Sequence, residues 1–300
     1  MYTTLIEPEE LAAPLARDPS GGSDWAVLDC RFDLSRPEWG AAAYAAGHVP
    51  GASYAHLDRD LSGPVSAGSG RHPLPVPERL AETFGRWGID DRVQVVAYDQ
   101  GNGAYAARLW WLLRWMGHER VAVLNGGFAA WQEAGLPTDT APAGRSPRTF
   151  TPRSVKGQVV STAELERALQ AGELASGRSV LVDARAADRF AGQNETIDPV
   201  AGHIPGARNH PFARNLDAQG RFLSTAELRA RWEATSDDAA TGKTDAARVI
   251  AMCGSGVTAC HNLLALEIAG LRGARLYAGS WSEWIRDPAR PVARGADAGT

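Results

Sequence analysis

Two kinds of run alternate along this 300-residue chain. Short apolar stretches rich in β-branched residues, WAVLD (25–29), VQVVAYD (93–99), SVLVDA (179–184) and RVIAMC (248–253), are separated by longer segments of helical period, ERLAETFGRW (78–87), AYAARLWWLLRWMG (104–117), TAELERAL (162–169) and TACHNLLALEIAG (258–270). The short continuous runs predict strands buried on both faces, and the 3.6-residue periodicity predicts helices that cover them. Their alternation predicts an α/β fold with a mainly parallel sheet sandwiched by helices.

The pattern occurs twice. VLDCR (27–31), AGHVPGA (46–52), the loop after VVAYD and NGGFAAWQEAG (125–135) return as LVDAR (181–185), AGHIPGA (201–207), the loop after VIAMC and AGSWSEWIRD (278–287), at spacings of 153 to 155 residues. Solenoid repeats run to only about 20 to 50 residues, so this period marks a duplicated domain. The stretch 137–154, rich in Pro, Thr, Ser and Arg, reads as a surface connection. The expected division is a first domain over 1–145, a linker over 146–158 and a second domain over 159–300, two tandem copies of one fold.

Composition narrows the partners. With 44% hydrophobic and 22% charged residues and a net charge of -4, the chain has the make-up of a soluble globular protein, with no electrostatic pull toward nucleic acid. The N-terminal segment does not read as a secretory signal, and no run of about 18 apolar residues predicts a membrane span. The expectation is a cytoplasmic protein with neither membrane nor nucleic-acid partner. Three cysteines make no disulfide framework.

Cys253 differs from the other two cysteines. It stands where a predicted strand ends and a helix begins, the place where open α/β sheets bind ligands, and Gly254 and Gly256 follow it. Glycines permit backbone conformations that turn successive N–H groups toward one point, and the helix N-terminus adds a positive dipole end; both favour thiolate over thiol. Cys260 falls inside the helix and Cys30 in a strand where the other copy has Ala184, so both read as packing. Cysteine phosphatases carry Arg six positions after the nucleophile, but position 259 is Ala; no ligand spacing around Cys253 suits zinc either. No metal or organic cofactor is expected.

These residues resemble the tandem-domain rhodanese-like sulfurtransferases, and the loop Cys253-Gly254-Ser255-Gly256-Val257-Thr258-Ala259 resembles the 3-mercaptopyruvate branch. Thiosulfate-preferring relatives carry Arg and Lys in the two positions after the cysteine. The resemblance implies a nucleophilic Cys253, a loop of Gly254, Gly256, Val257 and Thr258 around the donor, and an inactive first copy, in which Asp99 takes the place of the cysteine. It also implies a Ser255–His72–Asp58 arrangement, with Asp60 as the alternative acid, and assigns Arg185 and Arg189 to the donor's carboxylate and keto oxygen. Arg185 has a second reading, because its recurrence as Arg31 suits a structural ion pair. The implied reaction moves sulfur from 3-mercaptopyruvate to a thiol, with thioredoxin a candidate acceptor, or to cyanide; the competing readings are a thiosulfate:cyanide sulfurtransferase and a non-catalytic persulfide carrier.

His48 and His203 occur in both copies and are read as turn elements. Trp110, Trp111 and Trp115 share helical spacing and, with the repeated Trp131 and Trp284, are read as core; the sequence leaves open whether Trp281 borders the cleft.

Overall fold

The computed structural model describes residues 1–17, 24–236 and 245–295. The apolar runs form strands at the predicted places: β1 (Leu5–Ile6), β2 (Trp25–Asp29), β3 (Ser53–Tyr54), β4 (Gln94–Tyr98) and β5 (Val121–Leu124), then β6 (Val180–Asp183), β7 (Arg208–Asn209), β8 (Val249–Met252) and β9 (Arg275–Leu276). The first five make one parallel sheet in the order β1-β5-β4-β2-β3, and the last four make a second in the order β7-β6-β8-β9. The second repeats the first without its β1 edge, where a single bridge joins Val159 to Leu276 in parallel.

β4, β5, β6 and β8 are buried at every position, which is why they read as continuous apolar runs. One core gathers Ile6, Leu11, Val27, Val96, Tyr98, Phe128 and Trp131; the other gathers Leu181, Phe190, Ile250, Met252, Tyr277, Trp281 and Trp284. Trp110 and Trp111 are buried and Trp115 is half-buried, and the Trp131 and Trp284 indoles donate to the carbonyls of Pro137 and Pro291. Trp281 is fully buried, its N–H donating to Val200 O at 2.9 Å, so it belongs to the core. His48 and His203 stack on Tyr44 and Phe190 and bridge to Asp139 and Ala293, the turn role their repetition predicts.

The chain forms two compact units, but not as two contiguous halves. Residues 64–73 belong to the second unit with 156–217 and 223–300, and residues 218–222 belong to the first with 1–63 and 74–155. Local bonds hold the 64–73 strap in the second unit: Arg71 N–H donates to Ser282 Oγ (3.1 Å), Arg286 Nε–H donates to Ser69 O (3.2 Å), and a Cβ on Gly70 would stand 2.6 Å from Gly279 O. No helix among the described residues is long and apolar enough to cross a membrane.

Candidate active site

Cys253 directly follows Met252, the last residue of β8, and the helix Thr258–Ile268 begins five residues later. Its side chain is 2% exposed. The backbone at Cys253 is fixed on both sides: its N–H donates to Ser280 Oγ at 3.0 Å, and its carbonyl accepts from Trp281 N–H at 3.0 Å. Gly256 N–H donates to Cys253 Sγ at 3.1 Å. Gly256 has φ +80, and an added Cβ would run into the Ala278 carbonyl, so this turn requires glycine. Gly254, Ser255, Gly256 and Val257 are all buried, Val257 occupies the position before the first helical residue, and Thr258 is half-buried.

The first unit displays the same loop with a carboxylate in place of the thiol. Asp99 follows β4 as Cys253 follows β8, and it is fully buried. Its Oδ1 accepts N–H bonds from Gly101 and Gly103 at 3.0 Å each, and its Oδ2 accepts from Tyr105 at 2.9 Å and Ala106 at 3.2 Å. Burial pushes this carboxyl above its ordinary range, and the four donors act in the opposite direction. A strand-to-helix loop of this shape therefore directs main-chain donors onto an anion carried two bonds beyond Cβ.

Ser255 and His72 meet. Ser255 Oγ and His72 Nδ1 are 2.7 Å apart, with both residues buried, and the strap carries the histidine. Asp58 belongs to the first unit, is exposed, and donates its backbone N–H to His56 Nδ1 at 3.1 Å. Asp60 serves the same turn: its carboxylate accepts from His56 N–H at 2.9 Å and lies 3.8 Å from Arg86.

The two arginines named from sequence divide. Arg185 is 3% exposed; its Nε and Nη2 grip the fully buried Asp183, Nη2 also donates to Gly202 O, and Nη1 lies 3.4 Å from Glu195. Arg31 makes the same grip on Asp29 and on Gly47 O in the first unit. Arg185 thus makes in the second unit the ion pair that Arg31 makes in the first, as its recurrence suits, while its Nη1 has only the longer contact with Glu195. Arg189 keeps more freedom: Nε and Nη2 pair with Glu195, and Nη2 lies 3.2 Å from Asp198.

Two groups that sequence reasoning missed complete the surroundings. Arg71, next to His72 on the strap, pairs through Nη1 with Asp198, and a Cβ on Gly254 would lie 2.9 Å from Arg71 Nη2 and 3.7 Å from Arg189 Nη2. Two guanidinium groups thus cover the residue after Cys253, although the loop itself carries no cation. The available signal was that Arg71, like His72, has no counterpart in the second half of the chain. Ser280 is the other: fully buried, it holds the Cys253 N–H with φ +54, a left-handed conformation that non-glycine residues rarely adopt. Its sequence counterpart, Gly127, has φ +59, so a serine aligned with a glycine was the clue.

Comparison with known proteins gives a consistent picture. The rhodanese-like domain family matches residues 7–134 and 161–287. A Pseudomonas aeruginosa protein named "Probable 3-mercaptopyruvate sulfurtransferase" is 47% identical over 293 residues, covering 97% of this chain and 98% of that protein. SseB of Mycobacterium tuberculosis, which carries a thiosulfate sulfurtransferase name, is 41% identical over 284 residues, 95% of this chain and 96% of its own. Among solved structures, the 3-mercaptopyruvate sulfurtransferase SseA of Escherichia coli superposes with a TM-score of 0.76 at 30% identity, covering 94% of this chain and 100% of that one.

Proposed function

Because the chain belongs to the rhodanese-like family of sulfurtransferases, we propose that it moves sulfur from 3-mercaptopyruvate through a persulfide on Cys253 to a thiol or cyanide, releasing pyruvate. The observation that carries this reading is the loop seen twice. In one unit it gathers main-chain donors around a carboxylate, and in the other it presents a thiol at the same position with Gly256 N–H on the sulfur. A persulfide places its outer sulfur two bonds beyond Cβ, as Asp99 places its oxygens.

In the first step the Cys253 thiolate attacks the donor's sulfur. An S–S bond forms, the donor's C–S bond breaks, and the electron pair passes to the methylene carbon as the enolate of pyruvate. The proton on the donor's thiol ends on that carbon, completing the methyl group of pyruvate, and the Ser255 Oγ and His72 Nδ1 pair offers the route. In the second step an acceptor thiolate or cyanide takes the outer sulfur and the Cys253 thiolate returns, so the kinetics are ping-pong. Arg189 and the loop residues Gly254, Gly256, Val257 and Thr258 surround the donor, and Asp99 leaves the first unit without a nucleophile. Thioredoxin is a candidate acceptor. Three cysteines held as thiols rather than disulfides suit a reducing compartment such as the cytoplasm.

Arg71 and Arg189 above Gly254 give a second reading, use of thiosulfate, because they place cationic groups beside the thiol. Steady-state kcat/KM for the two donors on one preparation decides between them. The proposal expects mercaptopyruvate to lead by about tenfold or more, about 1.4 kcal/mol in transition-state binding. An equal lead for thiosulfate overturns the donor assignment, and one equivalent of pyruvate per protein with excess thiol would mean a carrier rather than an enzyme.

A further inference from the structure

The short helix Ser280–Trp284 touches the cysteine loop with its main chain and the strap with a side chain. Trp281 N–H donates to Cys253 O at 3.0 Å and Ser282 N–H donates to Gly254 O at 2.9 Å. The first unit repeats both bonds, with Phe128 N–H on Asp99 O at 2.8 Å and Ala129 N–H on Gln100 O at 3.2 Å, so this ladder belongs to the fold whether or not the loop carries a nucleophile. The Ser282 hydroxyl is not repeated, because its counterpart at the same spacing is Ala129. Ser282 is buried; its Oγ accepts the Arg71 main-chain N–H at 3.1 Å, and its own hydrogen faces Gly279 O at 3.5 Å. Residues 64–68 of the strap are exposed, and burial begins at Gly70, where a Cβ would lie 2.6 Å from Gly279 O and 2.9 Å from Ser282 Oγ. Two other fastenings of this end, Arg286 Nε to Ser69 O and Arg71 Nη1 to Asp198, use long guanidinium side chains that can follow a shift of the strap. A buried serine, with one heavy-atom torsion, cannot.

We propose that Ser282 is a positioning residue for sulfur transfer: by fixing the main chain at Arg71, its hydroxyl sets how far the next residue, His72, reaches toward Ser255. This rests on the reaction proposed above, in which Ser255 and His72 offer the proton route. His72 Nδ1 and Ser255 Oγ are 2.7 Å apart, at the short end of the normal range, and such a bond is lost over the next ångström of separation. Ser255 is not free to follow a strap that moves away, because Gly254 O is held by Ser282 N–H and Gly256 packs against Ala278. One residue therefore holds both sides of the pair, its N–H on the loop and its Oγ on the strap, and small misplacements of reacting groups slow chemistry. The hydroxyl acts on turnover and not on the thiol itself, since the main-chain bonds of Cys253 come from Ser280 Oγ and Trp281 N–H. The competing role for Ser282 is purely structural, one more buried hydrogen bond in the second unit.

Ser282→Ala separates the two roles. It removes one oxygen atom, keeps the N–H, and installs the residue that the first unit carries at the same point of its repeat, so the backbone accepts it. Three measurements are compared with the wild type: steady-state turnover of mercaptopyruvate, alkylation of Cys253 by iodoacetamide, and nitrogen-15 NMR of the histidine rings, with the His72 signals assigned by their absence from His72→Gln. The variant should lose kcat about 3- to 10-fold, the effect of one neutral hydrogen bond, while KM changes by less than about twofold. Cys253 should be alkylated at the wild-type rate, and the His72 Nδ1 resonance should move. An unchanged kcat overturns the proposal. So does a fall in kcat with the His72 resonance in place, or with alkylation slowed by the same factor, the signatures of a structural role alone. If the wild-type protein releases no pyruvate from mercaptopyruvate, the proposed reaction has failed and this inference falls with it; if the wild type turns over and Ser282→Ala matches it, only the inference fails.

Discussion

Gly254 and Gly256 stand two residues apart in one loop, yet alanine at each carries a different cost. Gly256 has φ +80, and its new Cβ would lie well inside contact with the Ala278 carbonyl oxygen and 3.1 Å from both Ala278 C and Cα. The left-handed conformation costs a non-glycine residue about 1 to 2 kcal/mol. Forcing a methyl group against buried backbone adds about 1 to 3 kcal/mol, because Ala278 follows Tyr277, whose N–H is bound to Ala251 O, and cannot retreat freely. Gly256→Ala should therefore destabilise by about 2 to 5 kcal/mol and pull the Gly256 N–H away from the Cys253 sulfur. At Gly254 φ is not positive, and the nearest atom to the new Cβ is the tip of Arg71, a side chain 29% exposed and able to move. Gly254→Ala should cost about 1 kcal/mol or less. Urea unfolding followed by the fluorescence of the 10 tryptophans measures both, and peptide mapping after iodoacetamide reports the reactivity of Cys253. If the two variants unfold at the same urea concentration and label Cys253 equally, the loop is not held by the contacts described.

Three further outcomes follow from the same contacts. Ser280→Gly gives up the bond to Cys253 N–H, about 1 kcal/mol, but relieves a left-handed cost of similar size, so it should be nearly neutral; Ser280→Ala loses the bond, keeps the cost, and should be the less stable of the two by differential scanning calorimetry. Arg185→Met leaves fully buried Asp183 without its partner and should destabilise by about 3 to 5 kcal/mol, with Arg31→Met costing a similar amount in the first unit; a stable Arg185→Met with raised KM would mean that Arg185 serves the donor rather than the fold. Burial lowers the pKa of His210 from 6.5 to about 4 in the folded state. The unfolded chain therefore binds more protons between those values, and stability present above about pH 6.5 is lost as pH falls toward 4, by about 3 kcal/mol at most. Urea unfolding across that range, compared with His210→Gln, should show the slope in the wild type and its loss in the variant.

The fold was legible because burial on both faces writes parallel strands as unbroken apolar runs: WAVLD and RVIAMC became β2 and β8 with little change. Duplication helped further. It marked His48 and His203 as turn elements, and it placed Cys253 opposite Asp99 at a strand end. The arginines were harder, because a guanidinium is defined by the acceptors that folding brings to it. Arg185 meets Asp183, Glu195 and Gly202 from three separate segments, and of these contacts only the ion pair with Asp183 was signalled, by its recurrence as Arg31. Arg71 gave no local sign of its position, since proximity to Gly254 arises only when the strap packs into the second unit. That exchange of segments also escaped a division of the chain into contiguous domains, because hydrophobic periodicity reports which face is buried but not against which unit. Ser255 and His72, joined through the resemblance of their motifs, lie within hydrogen-bond distance.

Sulfur transferred to one particular cysteine leaves a mass on one particular peptide. After a single turnover of mercaptopyruvate without acceptor, followed by alkylation and peptide mass spectrometry, the peptide containing both Cys253 and Cys260 should gain one sulfur atom, fragmentation should place it on Cys253, and pyruvate should appear in equal amount. Pyruvate released with no added sulfur on Cys253, or with the sulfur on Cys260 or Cys30, would contradict the account.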